Sequence, residues 1–141
     1  MLKLAALCAT AFFGMTLVFD HCAASEAVDI PFKIDEPAAA RIAAEAVGDA
    51  HTTEEFKYSG AHVDYPFYDF DLRPGPPSKA SFGYFAVNPW TGDVWALWGC
   101  FKVPSPAARK SQAKIRRQFT REELKQYPRI SQIKPECIFE N

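Results

Sequence analysis

Several things are scarce in these 141 residues, and each scarcity narrows the possible functions. Histidine occurs three times and methionine twice, so the usual acid–base side chain near neutral pH is thinly supplied. No Gly-x-Ser-x-Gly elbow occurs, which removes the nucleophile arrangement of α/β-hydrolases. Only one stretch is long and apolar, residues 4–19, about 16 residues against the roughly 20 of a bilayer-spanning helix. Net charge is scarce too, at −1. Zinc chemistry lacks a four-ligand set. Calcium would have to draw on Asp64, Asp69 and Asp71, around which no loop of the required spacing exists. The expectation is therefore no metal and no cofactor.

The apolar run has a meaning of its own. Lys3 precedes it, Asp20-His21 ends it, and Cys22-Ala23-Ala24 then puts small residues at −3 and −1 of a cut after Ala24. A positive start, an apolar middle and a small-residue exit make a signal peptide over residues 1–24. Residues 25–141 are then a single exported α+β domain, secreted or periplasmic, with no stable membrane insertion after cleavage. Two of the four cysteines fall in the leader. The remaining Cys100 and Cys137, an even pair in an oxidising compartment, read as one disulfide.

The near-zero net charge hides a division. Residues 25–101 carry 12 acidic and 5 basic side chains, residues 102–141 carry 4 and 10. Either the basic segment packs against the acidic one, or it offers a charged face to a partner.

Along the chain, Asp35 is placed to cap a helix over residues 36–47. Ala39, Ile42, Ala43, Ala46 and Val47 form its apolar stripe, and Gly48 is a natural stop. Aromatics alternate between about residues 53 and 72, predicting two strands with a turn at Ser59-Gly60, before a Pro-rich loop. Strands over 82–87 and 94–101 flank the turn Asn88-Pro89-Trp90-Thr91-Gly92-Asp93. Both are apolar on both faces, which predicts a hairpin covered on two sides. Ser105 and Pro106 start a second helix, with Ala108, Ile115 and Phe119 inward and Lys110, Lys114, Arg116, Arg117 and Arg121 over much of the rest. Thr120 and Glu123 form a capping-box pattern opening a further helical turn that Pro128 ends. The expected fold is α+β: an N-terminal helix on a small antiparallel sheet of about four strands, then a basic C-terminal helix tied back by the disulfide.

The Ala-rich helix, the aromatic strands and the segment Tyr84-Phe85-Ala86-Val87-Asn88-Pro89-Trp90-Thr91-Gly92 together resemble a PepSY-type domain over residues 35–101. Such domains carry an apolar strand, Asp-Pro-any-Thr-Gly, and a second apolar strand; here Asn88 stands in the Asp position. The basic segment and the cysteine pair lie outside the resemblance. It implies a non-catalytic exported module, of a kind often suspected of restraining peptidases.

No nucleophile setting is recognisable, and the expectation is that the protein is not an enzyme. It would bind and mask another exported protein, plausibly a hydrolase, as a peptidase inhibitor or as an immunity protein against a toxin. The alternative is a small exported hydrolase with His51 or His62 as general acid or base. The basic helix lacks interleaved aromatics on its charged face, so nucleic acid is not the expected partner. Trp90, at a turn, is the expected contact residue unless it folds back over the sheet edge. Arg116 and Arg117 supply the charge that steers the partner.

Overall fold

The computed structural model describes residues 28–48, 50–55, 66–75 and 80–138. The proposed signal peptide, the Ser59-Gly60 turn, His62 and Asp64 lie outside them. Among the described residues, no helix is long and apolar enough to cross a membrane.

Helix α1 spans Glu36–Val47. Asp35 Oδ1 accepts from the Ala38 N–H at 2.9 Å, and the Gly48 N–H donates to Ala44 O at 3.0 Å with Gly48 at φ +95°. Both ends are therefore closed as the sequence predicts, because an extended Asp and a left-handed Gly satisfy groups the helix leaves unpaired. Strands β1 (Ala50–Glu55), β2 (Tyr68–Pro74), β3 (Gly83–Val87), β4 (Val94–Ala96) and β5 (Phe101–Lys102) follow, then α2 (Pro106–Arg116) and α3 (Glu123–Ile130). The strands form one antiparallel sheet in chain order, β5 being only two residues long. The fold is thus α+β, as expected.

Two boundaries differ from expectation. The strand predicted over residues 94–101 stops at Ala96. Residues 97–100 turn, with Cys100 at φ +51°, and Phe101 folds back to pair with Ala96. Nor does Pro128 end α3. The helix continues to Ile130, and the Ser131 N–H closes on Tyr127 O at 2.9 Å. A proline forfeits one backbone bond, and here full burial of Ile130 offsets that loss.

The sheet has two faces. Phe70, Leu72, Phe85, Val87 and Val94 join Ala39, Ile42 and Ala43 of α1 and Ala108 and Ile115 of α2 in the main core. On the reverse, Phe67, Ala86, Trp95 and Leu97 form a smaller cluster against Tyr84, Ile133 and Ile138. Coverage on both sides explains why β3 and β4 are apolar throughout.

The β3–β4 turn sits under the helices rather than at a free end. Gly92 has φ +71°, and a Cβ there would stand 2.6 Å from Ile115 Cδ1. A side chain there would take a backbone conformation that favours glycine and would also push the end of Ile115 aside.

Candidate functional site

The turn at residues 88–93 is the fold's main junction. Asn88 is fully buried. Its Oδ1 accepts from the N–H groups of Trp90 (2.9 Å) and Thr91 (3.1 Å), which pins the turn. Its Nδ2 donates to Ile130 O at 3.1 Å, which fastens the end of α3. Pro89 O accepts from the N–H groups of Lys33 and Ile34 and holds the segment that leads into α1. Every buried polar group of Asn88 thus has structural work, as burial requires.

Trp90 belongs to the same junction, which corrects the expectation that it is an exposed contact residue. It is 5% exposed, its indole Nε1–H donates to Ile30 O at 2.7 Å, and the Phe32 ring meets it edge-on at 5.2 Å. The leading segment wraps the turn and brings both a carbonyl and apolar cover. An indole needs both when it leaves water.

Arg116, the last residue of α2, and Arg117, its C-cap, are both exposed, as required of steering residues. The Arg116 guanidinium lies 4.9 Å from the centre of the Tyr127 ring. Burial raises the Tyr127 pKa, as does nearby Asp93, and Arg116 opposes them. Arg109, Lys110, Lys114, Arg117 and Arg121 make no ion pair among the described residues. Lys110, Lys114 and the C-cap Arg117 recur at helical spacing and form one stripe, while Arg121 lies in the turn beyond the helix. Of the basic segment, Lys102 pairs with the acidic half, holding Asp93 at 2.9 Å. Elsewhere that half meets α2 through neutral groups. Ser111 Oγ donates to Glu45 at 2.9 Å, and Gln112 Nε2 to Asp93 at 3.3 Å. The basic stripe therefore faces solvent instead of neutralising the acidic half.

The remaining candidates do not converge. Cys100 and Cys137 form the expected disulfide, with Cα atoms 5.5 Å apart. His51 lies on edge strand β1 opposite Arg73. Asp69 and Asp71 share the reverse face of β2, and both are buried. Asp71 accepts from Arg73 Nε at 2.8 Å and from Ser81 Oγ at 2.6 Å, so its lone pairs serve the structure. No group of three His, Cys, Asp or Glu among the described residues is placed to hold a metal ion.

Sequence reasoning missed Lys33. Its ammonium bonds Glu123 Oε1 at 2.7 Å and lies 4.9 Å from the centre of the Phe119 ring, joining the leading segment to the start of α3. Only the capping-box pattern at Thr120 and Glu123 hinted that Glu123 was committed. Trp98 and Phe101 are exposed because the chain turns after Ala96, where the alternation of residues 94–101 predicts one continuous strand.

No family model matches the chain, and neither a curated protein nor a solved structure shows detectable similarity to it.

Proposed function

We propose that this is an exported, non-enzymatic binding protein that masks another exported protein through the basic face of α2. The partner is plausibly a hydrolase, restrained as by a peptidase inhibitor or an immunity protein. One observation carries the reading: α2 and its C-cap carry Arg109, Lys110, Lys114 and Arg117, which make no ion pair among the described residues, in a chain whose other half is acidic. Solvated like charges on one face repel one another, and an acidic partner surface relieves that repulsion while it steers encounter. The PepSY-like stretch over residues 35–101 implies the same class of module, and the leader at residues 1–24 implies the compartment.

The test pairs purified residues 25–141 with a panel of exported peptidases and cell-wall hydrolases at low and at raised salt. The expected result is stoichiometric inhibition of at least one enzyme. The association rate should fall with salt and fall further in a Lys114→Glu/Arg117→Glu variant. Turnover of peptide, peptidoglycan or RNA by the protein itself, abolished in His51→Ala or His62→Ala, would overturn the reading.

A further inference from the structure

After α3 the chain leaves regular structure, and residues 131–138 run across the reverse face of the sheet. Among the described residues this segment covers the smaller cluster: Ile133 and Ile138 pack on Phe67, Ala86, Trp95 and Leu97. Its root is held where Lys102 Nζ donates to Ser131 O at 2.6 Å. Its far end is held by the Ile138 N–H on Leu97 O at 3.1 Å and by the Cys100–Cys137 bond. Lys134 and Glu136 between them are exposed.

Two features set this region apart. The main core gathers α1, α2, β2–β4 and Ile130 at the end of α3, and Ile133 is the residue of residues 131–138 that also touches that core. In addition, Trp95 Nε1 is buried with no hydrogen-bond partner, alone among the described side-chain nitrogens and oxygens. An unpaired buried donor lowers the cost of opening, because water would satisfy it. The two cysteines are half-buried beside exposed Gly99, Phe101 and Glu136, within reach of an attacking thiolate.

We infer that residues 131–138 are a strap and the disulfide is its clip: reduction by a protein dithiol frees the strap and uncovers the reverse face while the main core stays folded. The exchange is balanced. A thiolate of the reductant attacks one sulfur to give a mixed disulfide, and its second thiol displaces the protein sulfur. Two electrons and two protons pass to Cys100 and Cys137, which become thiols, and the reductant becomes a disulfide. The uncovered face adjoins exposed Trp98, whose ring stacks on Tyr84, so opening enlarges an aromatic surface already present. The inference does not depend on the basic face of α2.

Hydrogen exchange read by mass spectrometry tests it on the oxidised protein, the protein reduced by dithiothreitol without denaturant, and a Cys100→Ser/Cys137→Ser variant. Reduction should proceed in native buffer. Residues 133–138 should then exchange at least tenfold faster and α1 less than twofold faster, with binding of an apolar dye increased. The variant should match the reduced protein. Strap protection that survives reduction, α1 exchange that rises with that of the strap, or a bond that yields only in denaturant would each overturn the inference.

Discussion

At the scale of single residues, Asn88 shows how one side-chain amide ties the β3–β4 turn to the end of α3. An aspartate there could accept from Trp90 and Thr91 as Asn88 does, but it has no N–H for Ile130 O. Asn88→Asp should therefore set a carboxylate against a carbonyl in a buried site. The expected loss is about 2–3 kcal/mol of unfolding free energy, read from urea denaturation. A loss within experimental error would mean that the α3 junction does not depend on the amide.

At the scale of elements, the start of α3 gathers three interactions onto Glu123. Its Oε2 accepts from the Thr120 N–H at 2.7 Å, its own N–H donates to Thr120 Oγ1 at 3.2 Å, and its Oε1 takes the Lys33 ammonium. The Lys33 hydrogen bond, and after it the Thr120 backbone bond, hold the Glu123 carboxyl below its ordinary pKa. The unfolded chain therefore binds that proton more readily than the folded one. The contribution to stability is complete above the ordinary carboxylate range and is lost as pH falls through the lowered folded value. Between about pH 7 and about pH 3, Glu123→Gln should lose less stability than the wild type, as measured by denaturation at each pH. An identical loss would show that the carboxylate is not coupled to the fold.

At the scale of the molecule, the cations of α2 stay apart from the acidic half: the ion pairs seen between the two segments among the described residues, Lys102–Asp93 and Lys33–Glu123, use no side chain of α2. The basic stripe on α2 therefore adds little to folding. Lys114→Glu/Arg117→Glu should change the unfolding free energy by no more than about 0.5 kcal/mol per site, while it alters association with an acidic partner and the salt dependence of that association. Destabilisation by several kcal/mol would identify the stripe as internal support. Thermal melts of the variant separate these outcomes without any partner.

The sequence by itself determined the elements whose causes are local. Both ends of α1, the Ser105 cap of α2, the Thr120–Glu123 box and the β3–β4 hairpin follow from capping side chains, helical spacing and turn residues that act within a few positions. The pairing of Cys100 with Cys137 followed from their number and setting. Tertiary structure decided the rest. Trp90 reads as a surface aromatic until the leading segment, 60 residues earlier, supplies Ile30 O to its indole. Pro128 reads as a helix end until burial of Ile130 carries α3 past it. Lys33 reads as one charge among many until Glu123, 90 residues away, receives it. In each case the deciding partner is distant in the chain, and no local pattern encodes which distant groups meet.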